Sequence, residues 1–260
     1  MVDSGSMAVS LRGVRKIFAN GVDALEGLEF DVRRGEFVSL LGPSGCGKST
    51  ALRIIAGLTE PTEGTVKRPG QPAPHAAGEV GFVFQEPTLM PWATVARNVR
   101  LPLDLKHWPI AKAAPRVEAA LAQVGLLDFA GVYPRELSGG MKMRVSIARA
   151  LVTEPDLLLM DEPFAALDEI TRFKLNDDLL SLWRALEKTV VFVTHSVFES
   201  VYLSNRILIM TPRPGRVFTE LAIDAPQPRH QGFRTSPEYA ALCRRASQAL
   251  AAASAAGDEK

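Results

Sequence analysis

The sequence predicts an α/β fold built on a mainly parallel sheet, and three observations carry that prediction. Strand-sized apolar runs at 37–41, 80–84, 157–160 and 190–194 alternate with stretches of helical periodicity, the pattern of a sheet covered by helices. The first of these runs, Phe37-Val38-Ser39-Leu40-Leu41, feeds a glycine-rich loop and then a helix-forming segment. The third, Leu157-Leu158-Leu159-Met160, ends in Asp161 and Glu162. Open α/β sheets gather ligands at that carboxyl end of their strands.

Each element has its own local reason. Residues 7–41 are β-rich, with turns expected at Asn20-Gly21 and Arg34-Gly35. Residues 49–57 read as a helix with a glycine at its end. A Pro/Gly-rich loop at 68–79 precedes the strand 80–84. Val117, Leu121, Val124 and Leu127 recur at helical spacing, which predicts an amphipathic helix over 110–127. A helix over 141–153 leads into the strand 157–160. From 168 to 187 Leu175, Leu179, Leu182 and Leu186 make one apolar stripe, read as core packing. Val190–Thr194 is a buried strand, and Ser196-Val197-Phe198-Glu199 fits a capping box opening the next helix. Beyond residue 224 the chain is proline-rich, then alanine-rich and helical over Tyr239–Ala256.

Composition narrows the class. At 260 residues the chain can bury a full core. Thirty basic against 29 acidic residues leave it nearly neutral, with no electrostatic sign of nucleic acid as a partner. No apolar run reaches the roughly 18 residues of a membrane span, and residues 1–6 carry no secretion-signal pattern. The two cysteines, Cys46 and Cys243, make neither a disulfide framework nor a metal site. These features lead us to expect a soluble, cytoplasmic chain.

Gly42-Pro43-Ser44-Gly45-Cys46-Gly47-Lys48-Ser49-Thr50 fits the phosphate-cradling pattern G-x-x-x-x-G-K-[ST] in the strand–loop–helix setting that makes it specific. Backbone N–H groups and a helix N-terminus converge on one anion there. Lys48 can set a positive charge on the β- and γ-phosphates of a nucleoside triphosphate, and Ser49 can offer a hydroxyl to Mg²⁺. A second helix start, Leu137-Ser138-Gly139-Gly140-Met141, offers amides and a hydroxyl to another anion without a lysine. The two acids after Met160 need not share a job, because successive residues of an extended chain point apart, and the family resemblance named next implies Asp161 as the holder of Mg²⁺ and Glu162 as the general base.

Together these motifs resemble the ATP-binding subunits of ABC transporters, whose signature is Leu-Ser-Gly-Gly-Gln; Met141 stands here in place of the Gln. The resemblance spans about residues 8–225 and implies a P-loop NTPase of the ABC ATPase cassette type, with a mainly parallel sheet core, an antiparallel β subdomain and a helical subdomain at about 86–155. Residues 1–7 are then a disordered N-terminus and 226–260 a partly helical tail. It further implies ATP and Mg²⁺ as ligands and a head-to-tail homodimer. In that dimer Ser138, Gly139 and Gly140 of one copy close over the ATP held by residues 42–50 of the other.

Other residues take roles from the resemblance alone. Gln85 matches the glutamine that senses Mg²⁺ and water, although a Gln after a strand is also an ordinary turn residue. His195 matches the switch histidine that hydrogen-bonds the γ-phosphate, and Asp168 the loop that crosses the dimer interface; Asp168 could equally be a helix N-cap, or both. Phe18 sits in the register of the adenine-stacking aromatic, with an ordinary core position as the alternative. Glu86–Trp92 corresponds to the surface that docks a membrane permease, unless Leu89, Met90 and Trp92 pack inward. Met160–Asp168, Val193–Ser196 and Met210–Gly215 resemble the nitrate/sulfonate/taurine branch of bacterial importers. This branch implies a peripheral position on the cytoplasmic face of the cell membrane, permease subunits as direct partners and a periplasmic solute-binding protein as an indirect one. A soluble ABC ATPase acting on nucleic acid or ribosomes is the alternative, although the chain lacks the second cassette and strongly basic segments usual there.

Overall fold

In a computed structural model, residues 7–68, 79–225, 229 and 231–258 are described. The chain divides into two compact units, Met1–Ala76 with Thr189–Lys260, and Ala77–Lys188.

The first unit holds two sheets. In one, β1 (Met7–Ile17) lies between β2 (Asp23–Arg33) and β4 (Glu63–Lys67), antiparallel to both. The β1–β2 hairpin turns at Asn20-Gly21, where Gly21 has φ 80° and Phe18 N–H donates to Val22 O at 2.9 Å. In the other, β3 (Phe37–Leu41) is parallel to β7 (Thr189–Thr194) and β8 (Arg206–Met210), and β9 (Val217–Ala222) runs antiparallel to β8. All residues of β3 and β7 are buried, as the unbroken apolar runs require of strands covered on both faces. Helix α1 (Lys48–Ala56) packs on β7 and β2.

The second unit pairs β5 (Val80–Val83) in parallel with β6 (Leu157–Asp161). Its helices are α2 (Val95–Leu105), α3 (Ile110–Gln123), α4 (Gly139–Leu151) and α5 (Glu169–Leu186). Val95, Val99, Leu103, Val117, Leu121, Val145 and Ala148 share one core where α2, α3 and α4 meet. No helix among the described residues is long and apolar enough to cross a membrane.

Several sequence expectations need correction. The helix expected over 110–127 stops at Gln123, because Gly125 takes φ 68°, and Leu127 opens a separate 3-10 turn with its side chain exposed. Helix α4 begins at Gly139 rather than 141, since Ser138 is its N-cap. Helix α2 and strands β4, β8 and β9 carried no expectation. The capping box at Ser196–Glu199 is only half made. Glu199 N–H donates to Ser196 Oγ, but the Glu199 carboxylate accepts from Thr194 Oγ1 at 2.6 Å instead of reaching back to Ser196 N–H. Met7 opens β1, while residues 1–6 of the expected disordered N-terminus and 69–78 of the expected loop lie outside the described residues.

Candidate functional site

In the first unit the site grows from the carboxyl ends of β3 and β7. Leu41 and Thr194 are paired across these strands, so residues 42–47 and His195 leave neighbouring strand ends. Gly47 caps α1 with φ 103°, and a Cβ there would lie 2.6 Å from Ala24 O and 2.7 Å from Leu25 Cδ2. Only glycine satisfies both the left-handed backbone and that approach. It turns the chain into α1, whose first N–H groups have no intrahelical acceptor and suit an anion.

The Lys48 side chain is 4% exposed, and its ammonium donates to Gly42 O at 2.8 Å and Pro43 O at 2.9 Å. The charge is thereby fixed at the entrance of the loop. Ser49 and Thr50 are half-buried in the first turn of α1, whereas Ser44 and Gly45 lie exposed on the outer bend and Pro43 is half-buried. Cys46 is buried, 1% exposed, with its sulfur 3.9 Å from Lys48 Nζ. His195 is exposed. Its turn is braced by Thr194 Oγ1, which accepts from Ser196 N–H at 2.9 Å. Phe18 is 39% exposed, with the Lys16 ammonium 5.4 Å from its ring centre.

Arg213 was missed by sequence reasoning. Its Nε and Nη2 donate to Gly45 O at 3.1 and 2.9 Å, a fork that fixes the 45–46 peptide from outside the loop. The segment Met210–Gly215 stood out only as a family resemblance. A cation whose acceptor is a main-chain carbonyl 168 positions away leaves no local pattern to read. Arg213→Gln is expected to raise KM for ATP about fivefold, the worth of roughly one hydrogen bond, with kcat unchanged. Steady-state phosphate release checks this; an unchanged KM would show that the fork does nothing for the loop.

In the second unit Val83 and Met160 are paired across β5 and β6, so Gln85 and the acids 161–162 depart from the same edge. Asp161 is 7% exposed and Glu162 half-buried. Glu162 takes φ 44°, a left-handed conformation that costs a non-glycine residue about 1–3 kcal/mol and gathers at functional positions. Gln85 is exposed. The stretch after it is gripped from the helices: Arg149 donates to Pro87 O at 2.7 Å and Thr88 O at 2.9 Å. Buried Asn98 accepts from Met90 N–H at 2.7 Å and donates to Met90 O, Ala93 O and Thr94 O. Leu89 packs into the unit's core and Met90 is half-buried, while Trp92 is 75% exposed.

Ser138 caps α4 by accepting from Met141 N–H at 3.3 Å and is exposed together with Gly139. Gly140 is buried, and a Cβ there would sit 2.7 Å from Thr171 Cγ2, so glycine lets α4 approach α5. Asp168 caps α5, its Oδ1 accepting from Thr171 N–H at 2.9 Å, which holds the carboxyl below the ordinary range. Its capping role is therefore present.

Among the described residues no group of three or more His, Cys, Asp or Glu could hold a metal by itself. Within the second unit, buried Asp161 at the end of β6 and Gln85 after β5 are oxygen donors of the kind Mg²⁺ takes alongside phosphate and water.

Comparisons with known proteins agree with these motifs. The family described as ABC transporter matches residues 25–165. An uncharacterized ABC transporter ATP-binding protein of Methanocaldococcus jannaschii is 46% identical over 240 residues, 91% of this chain and 89% of that one. The aliphatic sulfonates import ATP-binding protein of Bacillus licheniformis is 44% identical over 236 residues, 90% of each chain. Among solved structures, an ATP-binding cassette captured as a dimer in a post-hydrolysis state with ADP and Pi matches with a TM-score of 0.72 at 35% identity. That match covers 84% of this chain and all of that one.

Proposed function

The chain belongs to the ABC transporter family, and from that premise we propose that it is the ATP-hydrolysing subunit of an importer of the nitrate/sulfonate/taurine type, seated on a membrane permease. It is an ATPase of this family. The observation that carries the reading is the presence of two separate phosphate-directed helix starts, Gly47 before α1 and the exposed Ser138-Gly139 before α4. One cradles a triphosphate; the other suits the nucleotide of a second copy. The ADP- and Pi-bound relative is itself a dimer.

In the proposed mechanism, loop amides 42–47 and the α1 N-terminus bind the phosphates, and Phe18 stacks on adenine. The Lys48 ammonium stabilises charge on the β- and γ-oxygens. Ser49, Asp161 and Gln85 would hold Mg²⁺, which neutralises phosphate charge when bound. Glu162 accepts the proton of the attacking water, and His195 orients the γ-phosphate by a hydrogen bond. Ser138, Gly139 and Gly140 of the second copy complete the cover, with Asp168 beside the interface. The cassette occupies residues 8–225, its helical subdomain about 86–155. Closure on ATP and reopening after product release move the docked permease, which receives solute from a periplasmic binding protein. The name of the Bacillus licheniformis relative supports an alkanesulfonate as solute.

Vesicles holding the permease and this chain should take up labelled alkanesulfonate only with hydrolysable ATP; uptake independent of this chain would end the proposal. Trp92 supplies the docking anchor. Trp92→Ala should keep the circular dichroism spectrum and the ATPase activity of the isolated chain. It should weaken permease capture about 30-fold, as loss of a ~2 kcal/mol hot spot does. Unchanged capture removes Trp92 from the interface, and loss of the folded spectrum assigns it to the core.

A further inference from the structure

We propose that Arg229 and Tyr239, in the segment beyond β9, are positioning residues for His195 that act by strapping the short helix which follows it. The helix is α6 (Val197–Leu203), and its N-cap, Ser196, is the residue after His195. Seven residues give α6 almost no cooperative stability of its own, so its orientation is set by its packing on β3, β7 and α7 together with what holds its ends.

Both ends are held by Arg229 and Tyr239. At the first turn, the Tyr239 hydroxyl donates to Phe198 O at 2.9 Å, three positions beyond His195. At the last turn, where helix carbonyls lack intrahelical donors, the Arg229 guanidinium donates to Val201 O at 2.9 Å, to Tyr202 O and to Ser204 O at 2.6 Å. Arg229 is 5% exposed, and burial pushes its pKa down to about 10. It nonetheless stays charged at neutral pH, and carbonyl dipoles stand in for a counter-ion. Tyr239 belongs to helix α7 (Pro237–Asp258) and meets Tyr202 and Phe233 edge-on, with ring centres 6.5 and 5.2 Å away. The strap is therefore packed as well as hydrogen-bonded.

The grip passes to the catalytic edge by short routes. Thr194 Oγ1 donates to the Glu199 carboxylate at 2.6 Å and accepts from Ser196 N–H, locking the His195 turn to the first turn of α6. Ser204, held by Arg229, shares a buried 2.5 Å hydroxyl hydrogen bond with Ser39 of β3, the strand that delivers the phosphate loop. His195 lies one residue before the N-cap of α6, whereas Lys48 is separated from the Ser204–Ser39 contact by the rest of β3 and the phosphate loop, so the strap should govern turnover more than nucleotide affinity.

The inference rests on the reading of His195 as the γ-phosphate partner, and the test separates the two. Full-length Tyr239→Phe, Arg229→Lys, His195→Ala and the two double variants are compared by phosphate release and circular dichroism. Tyr239→Phe keeps the ring and removes only the hydrogen bond. It should lower kcat about fivefold with KM unchanged, and Arg229→Lys, which cannot keep the fork to three carbonyls, should lower it at least as much. In the His195→Ala background neither substitution should lower kcat further. If His195→Ala alone leaves kcat intact, the histidine reading fails and the inference falls with it. If His195→Ala lowers kcat but the tail substitutions have no effect, or have an equal effect in both backgrounds, the strap does not act through His195.

Discussion

Glu162→Gln binds ATP and releases phosphate at least about 100-fold more slowly than the unsubstituted chain; this is the largest functional effect we expect from one atom exchanged for another of nearly equal size. A positioned base contributes roughly 10²–10⁴ in rate, and an amide keeps the shape and hydrogen-bonding capacity of the carboxylate while losing its proton affinity. The position supports the role, because Glu162 follows buried Asp161 at the end of β6 and takes φ 44°, a conformation held there at a cost. Glutamine at 162 pays the same backbone cost, so stability should stay close to that of the parent. Binding of a fluorescent ATP analogue and the rate of phosphate release are measured on the same preparation. Release at the parental rate would mean that another group takes the proton.

The second large effect concerns assembly. With hydrolysis arrested by Glu162→Gln, ATP should convert the chain to a dimer, and adding Ser138→Arg should return it to monomer. Ser138 is exposed at the start of α4, so an arginine there can be accommodated by the isolated fold. Losing the cap costs about 1 kcal/mol, which a folded domain survives. The arginine would fill the space in front of the α4 amides that the phosphate of the second copy needs. Light scattering with and without ATP gives the mass, and analogue binding confirms that residues 42–50 still take nucleotide. A double variant that dimerises on ATP as readily as Glu162→Gln alone rules out the head-to-tail arrangement.

The residues legible in the sequence are those whose chemistry is written in consecutive positions. Gly42–Thr50 and Leu157–Glu162 combine a buried strand with a fixed spacing of functional groups, and the structure places both at strand ends. Asp168 could be read as a cap because capping is a relation over three residues. Helix α2 carried a signal as well, Thr94 followed by Val95, Val99 and Leu103, but Pro102 within it breaks the expected pattern. What could not be read is the set of cations that bind main-chain carbonyls. Arg149 reaches 61 and 62 positions back to Thr88 and Pro87, Arg213 reaches 168 back to Gly45, and Arg229 grips α6. A carbonyl carries no side-chain identity, so nothing at the acceptor end marks the pair.

That same anonymity has a consequence at the loop after Gln85. Asn98 and Arg149 hold its course through Pro87, Thr88, Met90, Ala93 and Thr94, almost entirely by the main chain. The path of the loop is therefore independent of most of the side chains it displays. A lineage can exchange exposed residues such as Trp92 for others without disturbing the scaffold beneath them. If this loop docks a permease as proposed, duplicated copies of such a subunit can acquire new membrane partners by rewriting a few outward-facing letters while the ATP-hydrolysing machinery is inherited unchanged.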